Sequence, residues 1–242
     1  MKRTSILNQY KGICSDILSE MTTKLRKSFK TLFMETLILY MVIPGRINFL
    51  QLGRYGRSCE QRFRQNFSKD FDWLEFNLKL SDKVLTGKRK AIAVDPSFIS
   101  KSGKVTPWIG YFWSGCAGTT KRGLEILGVG LIDIDTKDCI SLQAVQTPDT
   151  KTLENRDATL IDWYLLVLNS MKDELQKASS YVVADAYFAK NNFVTGLQQM
   201  NFELISRLRD DAALFYPTLE KPTGKKGRSE ERRVGKECRS RW

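Results

Sequence analysis

Two short runs of β-branched and small apolar residues each end on an aspartate: Ala91-Ile-Ala-Val-Asp95 and Tyr181-Val-Val-Ala-Asp185. An apolar run with no polar alternation is the pattern of a strand covered on both faces, which calls for helices on either side of a largely parallel sheet. A carboxylate at the end of such a strand is costly to desolvate unless it meets a cation or a hydrogen-bond donor. Two of them suggest a shared divalent cation. The chain has no histidine, which removes Ser-His-Asp and Cys-His catalysis and His-bound zinc together. Carboxylates and a hard metal are the tools that remain.

The 242 residues suffice for one sizeable domain with a smaller one beside it. The formal net charge of +12 is unevenly placed: residues 1–90 carry 18 Lys/Arg against 8 Asp/Glu, while residues 91–227 carry 15 against 16. A basic amino-terminal part ahead of a near-neutral part bearing the two aspartates suits an arm that holds a polyanion for a second domain to act on. The plainer reading of that excess is a solvated basic face. Five widely spaced cysteines with no CxxC pair argue against zinc and for a reduced protein. The longest apolar stretch, 36–44, is too short to span a bilayer, so no membrane association is expected.

Residues 4–43 read as helical, with Ile6, Ile13, Ile17, Leu18, Met21 and Leu25 at helical spacing, and Pro44-Gly45 ends that run. A short helix over 47–52, a turn at Gly53–Gly56 and a second helix over 58–67 fit a helix-turn-helix. Its arginines Arg54, Arg57, Arg62 and Arg64 are the candidate DNA contacts. Residues 68–88 read as a polar junction, which gives a helical basic region over 1–88. Strands are expected at 91–94, 108–114, 124–134 and 139–145, then one long helix over 152–178, a strand at 181–184, a helix at 190–200 and a strand at 202–206. A strand meander followed by alternating helices and strands is the order of the ribonuclease-H-like fold. The fold class is therefore α/β, a mixed sheet with flanking helices over 89–217, behind a small all-helical region. In that order the first strand lies beside the strand after the first long helix, so Asp95 and Asp185 become neighbours. Trp113 is expected in the core.

Longer stretches carry a resemblance. Ala-Val-Asp95-Pro-Ser-Phe-Ile-Ser-Lys101, Phe112-Trp-Ser-Gly-Cys116, Lys121-Arg-Gly-Leu-Glu-Ile-Leu-Gly128, Val182-Val-Ala-Asp185-Ala-Tyr-Phe188 and Leu204-Ile-Ser-Arg-Leu-Arg-Asp-Asp211 resemble a bacterial DDE-type insertion-sequence transposase over roughly residues 30–227. The resemblance implies that Asp95 and Asp185 are the first two catalytic and metal-binding carboxylates, that the cofactor is Mg2+ with Mn2+ as a substitute, and that the partners are double-stranded DNA, both transposon ends and target. Lys101, Lys104, Lys121, Arg122, Arg207 and Arg209 would then touch DNA phosphates; for the first four, solvated hairpin charges are the equally weighted alternative, and for Arg209 the alternative is a local pair with Asp210 or Asp211. A cytoplasmic protein bound to the nucleoid, able to pair with a second copy through exposed apolar surface, is expected.

The family's third acidic ligand has no counterpart, because Glu220, Glu230, Glu231 and Glu237 lack its spacing and helical setting. Residues 228–242 resemble a translated sequencing adaptor more than the family, and 218–242 are expected to be disordered. The expectation is a transposase cut short before its third carboxylate. The alternatives are a fragment that binds transposon ends without cutting, or a metal nuclease of the same fold that does not transpose.

Overall fold

A computed structural model describes residues 5–103 and 105–208 and the backbone of two short strands, 215–217 and 231–233. The elements run α1 (Ile6–Glu20), α2 (Lys27–Val42), α3 (Phe49–Tyr55), α4 (Glu60–Phe67), α5 (Trp73–Val84), β1 (Lys90–Ser100), β2 (Gly110–Ser114), β3 (Thr119–Asp133), β4 (Asp138–Gln146), α6 (Thr150–Glu154), α7 (Leu160–Ser170), α8 (Lys172–Ala178), β5 (Tyr181–Ala184), a 3-10 turn (Ala186–Phe188), α9 (Asn191–Gln199) and β6 (Glu203–Ser206). Strands β7 (Phe215–Pro217) and β8 (Glu231–Arg233) pair antiparallel, so part of the tail expected to be disordered forms a ladder. The rest of that tail lies outside the described residues.

The sheet is mixed and ribonuclease-H-like. β3 runs antiparallel to β1 along the whole of β1, from Lys90 opposite Asp133 to Ser100 opposite Gly123. β2 and β4 occupy the far side of β3, one after the other along its length. β5 joins β1 in parallel and β6 joins β5 in parallel. A parallel neighbour needs a crossover that brings the chain back to the starting edge. Helices α6 to α8 supply it between β4 and β5, and α9 supplies it between β5 and β6.

The apolar alternation of β3 explains the core. Leu127, Val129 and Leu131 are fully buried on one face, against Ile92, Val94 and Val182 of the neighbouring strands and Leu168, Leu175, Phe193 and Leu197 of the helices. Burying side chains of this size contributes about 1.5–3 kcal/mol each. Two further clusters hold the amino-terminal helices: Cys14, Ile17, Leu18 and Phe33 with Phe76, and Leu32, Leu39, Leu52 and Phe63.

Four expectations change. The run 4–43 is two helices, because the Thr22 N–H and hydroxyl both donate to Glu75 and leave the helical path. The turn at 53–56 is instead the end of α3, and the chain reverses at Gly56–Cys59. Gly53 sits where α3 meets α4, and a Cβ there would lie 2.8 Å from the Glu60 nitrogen. The polar junction 68–88 contains α5, capped by Asp72 accepting from the Glu75 N–H. That helix bonds the sheet through the Asn77 amide, which donates to the Leu142 carbonyl at 2.9 Å. Its Leu74 belongs to the sheet core and its Phe76 to the helical cluster, so it joins the two parts. The long helix 152–178 is broken twice. Asp157 adopts a positive φ, and Thr159 with Asp162 forms a capping box that starts α7 afresh.

Trp113 corrects a fifth. It is 61% exposed, not a core residue. Tyr111, Phe112 and Trp113 are consecutive, so the phase of the strand is ambiguous in sequence. In the structure Phe112 and Ser114 take the inner face and Tyr111 and Trp113 the outer.

Candidate active site

Val94 of β1 is paired with Ala184 of β5 in parallel register. The next residue on each strand is an aspartate. Asp95, midway along β1, and Asp185, just after β5, therefore each stand one residue past the last pair of the parallel β1–β5 ladder, near the carboxyl side of the parallel strands, where open α/β sheets hold their ligands. β1 continues past Asp95 along β3, whereas β5 stops at Ala184. The stop is local chemistry: Asp185 Oδ1 accepts from the Tyr187 N–H at 2.9 Å and caps the 3-10 turn. The Asp185 carbonyl is tied to the end of β6 by the Ser206 hydroxyl at 2.8 Å. Burial pushes the Asp95 carboxyl above its ordinary range, and the charge of Asp185 adds to it. A carboxylate whose ionisation is opposed by burial and by a neighbouring carboxylate favours a cation beside it.

The surroundings are polar and aromatic. The Lys190 ammonium lies 3.7 Å from the centre of the Tyr187 ring. On the helix-covered face of the sheet Glu125 is 7% exposed, and the Tyr164 hydroxyl donates to its Oε1 at 2.6 Å. Burial raises Glu125, and the hydroxyls of Tyr164 and Thr147 partly offset that rise. Burial also raises Tyr187, with Glu125 and Asp185 adding to it. Tyr187 thus feels both the buried glutamate and the site aspartate. Among the described residues no group of three His, Cys, Asp or Glu could hold a metal. Two hard carboxylates fit magnesium or manganese as part of an oxygen ligand set.

Glu125, Tyr164, Ser206 and Lys190 escaped the sequence reading. For Glu125 a signal existed: it continues the inward alternation of Leu127, Val129 and Leu131, so its burial was legible from strand period alone.

The basic candidates divide. Arg64 is held by Glu60 at 2.6 Å and lies 4.9 Å from the Phe49 ring centre, so its charge serves the helix pair. Arg62 donates to the Ser28 carbonyl at 3.4 Å and borders an open polar cleft of about 450 Å3 with Gln61, Gln65, Asn66 and Lys69. Arg54 ends α3 and Arg57 lies in the turn before α4. Glu35 fixes that turn, accepting from the N–H groups of Arg57 and Ser58 and from the Ser58 hydroxyl. Lys101 borders a second cleft, about 660 Å3, with Arg46. Arg122 donates to the Gly103 carbonyl at 2.8 Å. Lys121 is exposed on β3 and Arg207 follows β6 at the same sheet end as Asp185. Lys104 and Arg209 lie outside the described residues. Cys14, Cys59, Cys116 and Cys139 are free thiols, and no helix among the described residues is long and apolar enough to cross a membrane.

Residues 44–241 match the family described as DDE superfamily endonuclease, a span that includes residues 228–241. No curated protein matches the chain.

Proposed function

The chain belongs to the DDE superfamily of endonucleases, and we propose that within it this protein is a DNA transposase that cuts at transposon ends and joins the freed 3′-hydroxyl to a target. The observation that carries the reading is that Asp95 and Asp185 stand side by side, each one residue past the last pair of the parallel β1–β5 ladder. Their carboxylates would hold a divalent cation, Mg2+ or Mn2+, which when bound would supply charge stabilisation to a phosphate and a more acidic water. Asp185 commits Oδ1 to the turn that follows it, which fixes the direction of its carboxylate. Ser206 and the Tyr187 turn hold the backbone of Asp185 while Asp95 is held by the β1–β3 ladder, so neither carboxylate depends on a mobile loop for its place. The amino-terminal region, with its excess of Lys and Arg and its α3–α4 pair, would hold the duplex; Arg62 and Lys69 border the cleft that best suits phosphates. Such a protein would work on the nucleoid in the cytoplasm.

A third carboxylate would complete the ligand set from beyond Ser206. Because none of the described residues supplies it, a second reading is supported as well: this chain binds transposon ends without cutting them. A magnesium-dependent nicking assay on DNA carrying the element's own ends separates the two. Nicking that disappears in Asp95→Asn and in Asp185→Asn supports the transposase. Binding without nicking, with nicking restored in a version continued through the family's glutamate-bearing segment, supports the second. Nicking that survives both substitutions would sink the assignment of the aspartates.

A further inference from the structure

Between Pro96 and Leu124 the chain has four basic residues, Lys101, Lys104, Lys121 and Arg122, and no carboxylate. This stretch builds the far end of β1, all of β2 and the first part of β3, an antiparallel arm that grows directly out of the strand carrying Asp95. Its outer face is aromatic. Tyr111 is 69% exposed and Trp113 61%, and across the ladder they face Arg122 and Thr120. The register carries the same face back along β1. Asp95 lies opposite Gly128, Ser97 opposite Ile126 and Ile99 opposite Leu124, and alternation puts these pairs on the side that holds Arg122, Tyr111 and Trp113. From Asp95 to Ile99 is four residues, about 13 Å of strand, the length of about four nucleotides of a duplex strand.

We propose that Tyr111 and Trp113 form a stacking platform for unpaired DNA bases, and that the basic arm holds the strand opened beside Asp95 and Asp185. The proposal rests on the reading of those aspartates as the cutting site, since that is where the strand would part. Three features favour a nucleic-acid occupant. The arm has cations and no acidic residue, which complements phosphate. Exposed aromatic rings with a basic residue on the same face, as Tyr111 and Trp113 have in Arg122, are what single strands bind by stacking, whatever the base. The face also runs without a break into the aspartate strand, so one strand could lie along both. A second copy of this chain, whose arm carries the same excess of positive charge, would meet like charge there.

The test uses the full chain, in buffer without divalent metal, and two probes: a labelled oligo-dT strand and a blunt duplex of equal length. Tyr111→Ala/Trp113→Ala should weaken oligo-dT binding by at least about fivefold, the lower end of what one stacked base contributes. Duplex affinity should stay within about twofold, as expected when phosphate contacts elsewhere are unchanged. Trp113→Phe keeps a ring and should retain most of the single-strand affinity. Both side chains are exposed, so the fold should survive, and circular dichroism checks it. Unchanged oligo-dT binding in the double variant overturns the proposal, and so does an equal loss on both probes. A wild type that sediments as a dimer and a double variant that sediments as a monomer with full oligo-dT affinity would assign this face to self-association instead. The binding assay contains no divalent metal and reads no cleavage, so a failure of the cutting-site reading registers in the nicking assay and not here.

Discussion

Replacing Tyr164 with phenylalanine isolates one buried polar contact behind the candidate site. The ring stays, 5.5 Å from Phe188, so no cavity opens. What disappears is the hydroxyl that donates to Glu125 Oε1 at 2.6 Å in a position only 7% exposed. An acceptor left without its donor in such a place costs about 1–3 kcal/mol. The cost should depend on pH, and its sign follows from Glu125. Burial lifts its carboxyl above the ordinary 4.5. A group with a raised folded value gives stability that is complete below its unfolded value and is lost as pH rises through the folded value. Tyr164 is one of the groups that hold that rise down, so Tyr164→Phe lifts Glu125 further and extends the loss. Urea denaturation at about pH 4 and about pH 8 should show a larger penalty at the higher pH. In a Glu125→Gln background, where nothing titrates at this position, the pH dependence of the Tyr164→Phe penalty should vanish. A penalty that is the same at both values, or one that keeps its pH dependence in the Glu125→Gln background, would refute the attribution of this pH dependence to Glu125.

Removing Arg62 and Lys69 together should lower duplex affinity and reduce the slope of log affinity against log salt by about 0.9 for each phosphate no longer neutralised, whereas Arg64→Ala, already paired with Glu60, should leave the slope nearly unchanged; the same change of slope in both variants would refute the division. Gly53→Ala should destabilise the amino-terminal helices, because its Cβ would meet the Glu60 backbone at 2.8 Å; a thermal scan that shows stabilisation, as an ordinary helical Gly→Ala would give, would mean α3 and α4 do not pack this closely. Ser206→Ala should reduce nicking more than it reduces stability, because it frees the Asp185 carbonyl at a cost of about 1 kcal/mol; a fall in stability with full activity would make Ser206 a strand-end residue only.

The strand order and the aspartate pair were legible because their signals are local and periodic. Val-Asp95 and Ala-Asp185 sit at the ends of unbroken apolar runs, and a buried parallel strand is what such runs build. The expected strand at 181–184 matches β5, and the neighbours Asp95 and Asp185 follow from the connection order that the ribonuclease-H-like fold imposes. What failed in sequence depended on contacts across long separations. The break after α1 is made by Glu75, 53 residues away, and no window around Thr22 contains it. The helix α5 reads as polar linker because its apolar residues are divided between two clusters, Leu74 to the sheet and Phe76 to the helices. Each face carries apolar residues at helical spacing, Leu74, Leu78 and Leu85 on one and Phe76 and Leu80 on the other, but the polar residues among them make the stretch read as a linker. Arg64 and Arg62 are alike in sequence and differ only in what lies beside them, Glu60 and Phe49 for one and the open cleft for the other. Trp113 is the plainest case. Hydrophobicity predicts its burial, but alternation along β2 puts Phe112 and Ser114 on the inner face and leaves Trp113 on the outer one. Local chemistry chose the strands and placed a carboxylate at the end of each apolar run. Which side chains face the core, which are paired and which face solvent was decided only when the strands found their register.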